Sequence, residues 1–471
     1  MNMLAGVKKA HLIGIGGIGV SAVAKLLWHA GIKVSGSDAV ASGITSELIK
    51  RGMEISIGPA AGQLPDEVDL VVRSSAVPDD DPELLAARER GVRNLTYFEF
   101  LGQYAAERRV VAVAGTHGKS TTTAMLGQIL IEAGFDPTVI VGSKVPIFPD
   151  GNIRLGNSDL FVIESCEHEA HLLEFKPQAA IVTNIEADHL DFYRDLDHIK
   201  QTFRQFVSQL TPTGLLVVNF DDQTGAGELK ASGRTVSFGF NSGADYSIKN
   251  LQVEIGRQKF ELWRGEKSFG AFELSVPGRF NIANAVAAAT LAIELGVSSE
   301  VIRSVLSSYQ GIWRRFEIVG QRSGVTVISD YGHHPTAVAA TLAAAREFYQ
   351  DQQIILVFQP HQRHRTRKLF AKFVESFDQA DAVILPEIYD VKGREQTADD
   401  DISSRQLVTV VLVRDQQRDR KRSIEYAADL ADAFTILQSF LSPDSVVLIM
   451  GAGDVDQLAR RLVSPSINFS I

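Results

Sequence analysis

A lysine, a serine and three threonines, Lys119 to Thr123, follow two glycines, Gly115 and Gly118, in the stretch VVAVAGTHGKSTTTAM from Val110 to Met125. An ammonium and a row of hydroxyls at that spacing suit polyphosphate chemistry. Lys119 can reach outer phosphates, and Ser120 or Thr121 can offer a hydroxyl to a magnesium ion that keeps most of its waters. Positioning them takes a β-branched apolar strand that passes through the loop Gly115-Thr116-His117-Gly118 straight into a helix. The first N–H groups of that helix lack intrahelical partners and carry the positive end of its dipole, so they cradle an anion. The loop departs from G-x-x-x-x-G-K-[ST] at Val113, which stands where the first glycine would be. A Gly-rich turn that binds nothing is the bland competitor.

A second glycine loop lies near the N-terminus. Gly14-Ile15-Gly16-Gly17-Ile18-Gly19 matches G-x-G-x-x-G between a strand and a helix, with Asp38 about twenty residues on, at the end of the next strand. The same turn holds the diphosphate of NAD, FAD or a nucleotide sugar, so alone it speaks for a fold and not for a ligand.

Further polar residues gather at strand ends. Glu164 ends LFVIES, and His189 follows AAIVTNI in TNIEADHLD. Ligands collect at the carboxyl edge of an open α/β sheet, and this pair suits the shell of divalent metals that bridge ATP phosphates. Asn281 and Asn284, three apart at a helix start, can read an adenine edge or cap the helix. Arg314 and Arg315 in GIWRRFE either clamp a γ-phosphate on domain closure or form a solvated basic pair. Asp330-Tyr331-Gly332-His333-His334-Pro335 directly follows a strand. The cluster Gln359 to Arg367, with His361 and Arg365, suits an anionic ligand, an exposed charged turn being the alternative.

The elements that carry these residues are α/β throughout. Short apolar strands alternate with helical patterns, which implies parallel sheets covered by helices. At 471 residues the chain exceeds one core, and three blocks are expected, 1–107, 108–316 and 317–471. Within the second, TVSFGF and FELSV are expected to form a small antiparallel appendage. The third block reads βαβ again and lacks its own phosphate loop. A net charge of −10 with no basic run argues against a nucleic-acid partner. The single cysteine, Cys166, excludes an intrachain disulfide and fits a reducing cytoplasm. The first residues, MNMLAGVKKAHLIGIGG, pass at once into glycines, and no apolar run is long enough to span a bilayer. A cytoplasmic protein without membrane insertion is expected.

Taken in order, Gly14 to Gly19, AGTHGKSTTT, VTNIEADHLD, the NxxN pair, RRFE, SDYGHHPT and FQPH with RTR resemble the Mur ligases of peptidoglycan synthesis over nearly the whole chain. The resemblance implies a Rossmann-like N-terminal domain that binds the UDP of a substrate, a central P-loop domain that binds ATP, and a Rossmann-like C-terminal domain that brings an amino acid. The implied activity is ADP-forming ligation of L-alanine to the lactyl carboxylate of UDP-N-acetylmuramate through an acyl phosphate. ATP is then the co-substrate, Mg2+ or Mn2+ the metal, and the protein a monomer or homodimer.

By position, the resemblance assigns the UDP-sugar to Gly16, Gly17, Ile18, Gly19, Asp38 and Ser75. It assigns ATP to Gly115, Thr116, His117, Gly118, Lys119, Ser120, Thr121, Asn281, Asn284, Arg315 and Asp330. Ser120 or Thr121 with Glu164 would hold the first metal, and His189 belongs to the second. Tyr331, His361 and Arg365 match positions near the alanine, and Lys119, Glu164, His189 and Arg315 form the catalytic group. This chain departs from the family at Cys166, where an Asp is usual, at Phe280 for a His, at Gln362 for an Arg and at Trp313 for a small residue. Its rivals are a ligase that joins a recycled tripeptide to the same sugar, a nicotinamide-dependent dehydrogenase and a non-catalytic nucleotide switch.

Overall fold

The computed structural model describes residues 3–58, 64–190, 192–390 and 402–464. The chain divides into two compact units. One comprises Met1–Glu186, Asp197–Tyr246 and Ala287–Ile302, the other Ala187–Leu196, Ser247–Val286 and Arg303–Ile471.

The first unit opens with β1 (Lys9–Ile13), β2 (Lys33–Asp38), β3 (Glu54–Ile57), β4 (Leu70–Arg73) and β5 (Arg93–Thr96). They form a parallel sheet in the order β3-β2-β1-β4-β5, the strand order of a dinucleotide-binding sheet short of its sixth strand. The strand order reverses beside β1, which places the loop Gly14–Gly19 at the switch point.

A second sheet in this unit contains β6 (Arg109–Ala114), β7 (Thr138–Ile140), β8 (Ile153–Arg154), β9 (Leu160–Glu164), β10 (Ala179–Val182), β11 (Leu215–Asn219) and β12 (Arg234–Gly239). β6 pairs in parallel with β9 on one side and β10 on the other. Val110 to Ala114, Leu160 to Ile163 and Ala179 to Val182 are buried. Such unbroken apolar runs belong to strands covered on both faces. On one side TVSFGF belongs to the parallel part of this sheet. It lies in β12, which pairs in parallel with β11 from Leu215↔Arg234 to Asn219↔Phe238. The polar–apolar alternation of that stretch marks a strand but not its direction, which the returning connection after Asn219 decides.

The FELSV region does end an antiparallel hairpin. After β13 (Tyr246–Glu254), β14 (Arg257–Arg264) pairs with β15 (Lys267–Leu274), with a register shift between Glu261 and Trp263. The second unit also holds β16 (Glu317–Arg322), β17 (Val325–Asp330), β18 (Ile354–Phe358), β19 (Ala382–Pro386), β20 (Ser423–Ala427) and β21 (Val446–Met450). Their order is β16-β17-β21-β18-β19-β20, with β16 antiparallel at the edge and the rest parallel. Alternate residues feed opposite cores. Ile328, Leu356 and Leu448 pack with Val338 and Leu342 of helix Pro335–Phe348, and Val327, Val357 and Ile449 pack with Phe434 and Leu458 on the other face. Among the described residues no helix is long and apolar enough to cross a membrane.

Candidate active site

The loop leaving β6 is flanked by the carboxyl ends of β9 and β10. Gly115 sits at φ +133°, where a Cβ would lie 2.0 Å from Thr183 Oγ1, so no side chain fits. Gly118, at φ +83°, is the N-cap of helix Lys119–Glu132. Ser120 is buried, and its Oγ donates to Glu164 Oε1 at 3.0 Å, while Glu164 Oε2 accepts the Gly142 N–H at 2.7 Å. A hydroxyl and a carboxylate facing each other make the hard oxygen set that Mg2+ prefers. Thr121 is buried beside them.

Lys119 Nζ donates to Gly115 O at 2.6 Å and Thr116 O at 3.1 Å, and it pairs with the buried Glu167 at 2.8 Å. Burial opposes the ammonium, but the charges of Glu167 and Glu164 outweigh it and hold Lys119 above its ordinary range. The lysine stays charged at neutral pH. Burial and the Glu167 charge push the Cys166 thiol up to about 12, so the family's usual carboxylate is replaced here by a neutral group.

Sequence reasoning missed the residues that hold this loop from behind. Thr183 Oγ1 donates to His117 O at 2.6 Å, Asn184 Oδ1 accepts the His117 N–H at 2.9 Å, and Glu186 Oε2 lies 2.9 Å from His117 Nε2. Thr116 Oγ1 accepts the Glu186 N–H at 2.9 Å. Their place in T-N-I-E, directly after β10, is readable in the sequence, but the pairing of β10 with β6 that sets them behind the loop is not.

In the N-terminal loop, Gly14 has φ +75° and accepts the Gly17 N–H at 3.1 Å. Asp38 takes the Gly16 N–H at 2.8 Å and the Val40 N–H at 3.1 Å. A Cβ on Gly19 would lie 2.9 Å from the Tyr97 ring. Ile18 begins helix Ile18–His29, and Ser75 is exposed in the turn after β4. Asp38 and the glycines therefore converge, and the first helical turn, Ile18 to Ser21, carries no charged side chain.

In the second unit, Asp188 and Arg365 form a pair at 3.1 Å with little exposure on either side. Burial would raise Asp188, but Arg365, His189 and His333 outweigh it and hold the carboxyl well below the usual carboxylate range. Asp188, His189, Gln362, His364, Arg365 and Lys368 line a small cavity. His189 and Arg365 thus meet around an aspartate that sequence reasoning left out. His361 stacks on Tyr389 with centroids 5.6 Å apart, and its Nδ1 lies 3.4 Å from an Arg365 nitrogen. Gln362, at φ +67°, gives its N–H to Tyr389 O at 2.9 Å, so its backbone serves the turn that presents Arg365.

The two arginines of RRFE separate in role. Arg314 is buried, donates to Gly453 O at 3.0 Å and also to Gly451 O, and lies 5.6 Å from the Trp313 ring centroid. Arg315 is half-buried, 4.8 Å from the Tyr331 ring centroid. Asp330 accepts the Phe316 and Gly332 N–H groups, each at 2.7 Å, and so braces the turn that carries both arginines. Asn281 Nδ2 donates to Pro277 O at 2.7 Å, and Asn284 Nδ2 lies 3.4 Å from Asn281 Oδ1, so both buried amides share one side of helix Arg279–Glu294. Phe280, immediately before Asn281, packs against the C-terminal core.

A strand–loop–helix cradle with a lysine and a facing hydroxyl–carboxylate pair, set on a parallel sheet, defines a P-loop nucleotide-binding protein. Three family models match in succession: the Mur ligase family catalytic domain at residues 9–109, the Mur ligase middle domain at 113–292, and the Mur ligase glutamate ligase domain at 314–453. The chain belongs to the Mur ligase family. It is 39% identical to a UDP-N-acetylmuramate--L-alanine ligase of Clostridium novyi (strain NT), over 97% of each chain. The crystal structure of a UDP-N-acetylmuramate-alanine ligase from Thermotoga maritima aligns with a TM-score of 0.80 at 29% identity, covering 97% of this chain and 98% of that one. A murein peptide ligase from Psychrobacter arcticus 273-4 shares the fold, with a TM-score of 0.68 at 23% identity over 97% and 98% of the two chains.

Proposed function

We propose that this chain joins L-alanine to the lactyl carboxylate of UDP-N-acetylmuramate, converting ATP to ADP and phosphate. The observation that carries the reading is the cluster of Lys119, Ser120 and Glu164 at one helix N-terminus, in a chain so like ligases of that name. A carboxylate is a poor acceptor for an amine because its leaving group would be oxide. A carboxylate oxygen therefore first attacks the γ-phosphorus of ATP; the bond to the β-phosphate oxygen breaks, and ADP and an acyl phosphate result. The α-amine of alanine then attacks the acyl carbon, phosphate departs with the electron pair, and the amine loses a proton.

Each part of the chain has a task in this sequence. The amides of Gly118 to Ser120 and the ammonium of Lys119 bind and orient the phosphates, and Glu167 keeps that ammonium charged. Ser120 and Glu164 would hold Mg2+, which when bound offsets charge on the phosphoryl oxygens. Arg315 adds a guanidinium for the transferring group, Asp330 holding its turn in shape. Gly16 to Gly19 and Asp38 receive the UDP-sugar, with Ser75 beside them, and Tyr331, His361 and Arg365 supply polar surface for the amino acid. Asn281 and Asn284 serve the nucleotide, and His189 would hold a second metal.

The test is isotopic. With 18O in the lactyl carboxylate, one labelled oxygen should appear in the liberated phosphate, only when sugar nucleotide and amino acid are both present. Unlabelled phosphate would overturn the acyl-phosphate route. Turnover with the tripeptide and none with alanine would transfer the assignment to the recycling ligase.

A further inference from the structure

The segment after Glu167 carries two histidines to which the proposed ligase reaction gives no role. We propose that His168, Glu169 and His171 form a binding site for a borderline-soft divalent cation of the zinc class, separate from the oxygen set at the phosphate loop. One ligand atom from each of the three lies within 4.8 Å of the others. Glu169 Oε2 and His171 Nε2 are 3.2 Å apart, close to the separation of two ligands that each stand about 2.0–2.1 Å from a tetrahedral zinc. The two imidazole rings are 6.4 Å apart with their planes at 72°, so both can turn a nitrogen toward one point.

Two further observations favour a cation at that point. Nε2 of His171 is buried and makes no hydrogen bond, although it faces a carboxylate oxygen. In either tautomer that nitrogen lacks an aligned hydrogen-bond partner, and a cation ligated by both atoms would supply one. The ring is also held in place, stacked on Phe98 with centroids 4.0 Å apart and planes at 19°. A fixed imidazole loses little freedom when it ligates. Glu169 and Ala170 both take left-handed backbone angles, φ +52° and φ +58°, and this tight reversal brings the i and i+3 histidines to one side of the chain.

The donor types select the ion. Two imidazoles and one carboxylate are the set that holds zinc with a fourth position open, whereas Mg2+ demands oxygen ligands in octahedral array. The ion would sit one residue beyond Glu167, the partner of Lys119, and would pin the 168–171 turn.

Zinc binding to the metal-stripped full-length protein, measured by competition with a chromogenic chelator in excess Mg2+, tests the proposal. One equivalent should bind, and the affinity should fall at least about a hundredfold in His168→Gln/His171→Gln. Because His171 is packed on Phe98, the single variant His168→Gln, at the half-buried end, provides an arm that keeps the fold, and it should lose at least about tenfold. Co2+ in the same site should give the intense visible bands of a tetrahedral centre. No bound equivalent, or one that both variants retain, would overturn the proposal. An equivalent lost only in His117→Gln would do the same, by placing the ion at the phosphate loop.

Discussion

The loops Gly14–Gly19 and Gly115–Gly118 follow one plan, a parallel strand that passes through glycines into a helix N-terminus. Their surroundings differ. In the first, the glycines make room for side chains, Asp38 and Tyr97, and the first turn of the helix adds its dipole but no charged side chain. In the second, Gly115 presses on the end of a neighbouring strand, and Lys119, Ser120, Glu164 and Glu167 crowd the mouth. A helix end suffices to hold a diphosphate that stays intact. Moving a phosphoryl group requires fixed charge and a metal shell around the atoms that change partners.

The largest test of that contrast is Lys119→Ala. Turnover should fall at least about a thousandfold, by loss of transition-state charge, while calorimetric affinity for UDP-N-acetylmuramate changes less than about twofold. Equal loss of both would erase the distinction between the loops. Next come matched glycine substitutions. Gly115→Ala drives a methyl into Thr183 at a left-handed position and should cost about 1–3 kcal/mol in denaturant unfolding, with ATP binding lost. Gly16→Ala meets side chains alone, the Asp38 carboxylate at 2.8 Å and the buried Thr45 methyl at 2.9 Å from the added carbon, which can shift. Its KM for the UDP-sugar should rise about tenfold with little change in stability. The reverse ranking would show that the first loop is the more rigid.

Glu186→Gln should be milder, since it weakens one contact to His117 and keeps the volume. KM for ATP should rise about two- to tenfold with kcat nearly constant, and a fall confined to kcat would give Glu186 a different task. The smallest effect is expected at Asn152, whose side-chain amide donates to Ser21 Oγ at 3.0 Å and to Ile18 O in the first turn of the N-terminal helix. Asn152→Ala should cost about 1 kcal/mol in the urea midpoint, raise KM for the UDP-sugar a few-fold and leave that for ATP alone. A change in ATP affinity would mean the two loops are mechanically coupled.

Both loops were legible because their signals are local. A β-branched run, glycines at fixed offsets and a Lys-Ser-Thr continuation each constrain the few residues beside them. Asp188, Asn184 and Glu186 were not, although they stand in the same quoted motif as His189, because their roles depend on which strand or side chain faces them. The difference between Arg314 and Arg315 was equally hidden. Adjacent in sequence, both lie on the Tyr331 ring, yet Arg314 is buried and donates to the Gly451–Gly453 turn while Arg315 is half-buried.

By itself the chain's order of residues determined the α/β class, the strand–glycine–helix units and the lysine at the phosphate cradle, since those follow from backbone sterics and from side chains within a few positions. Only the folded molecule decided that β21, late in the chain, enters between β17 and β18, and that TVSFGF runs parallel to β11. It also decided that an imidazole and a carboxylate three ångströms apart meet beside Phe98. Strand neighbours and facing polar atoms arise from contacts distant in sequence. Their energies reside in packing and desolvation that no local pattern records.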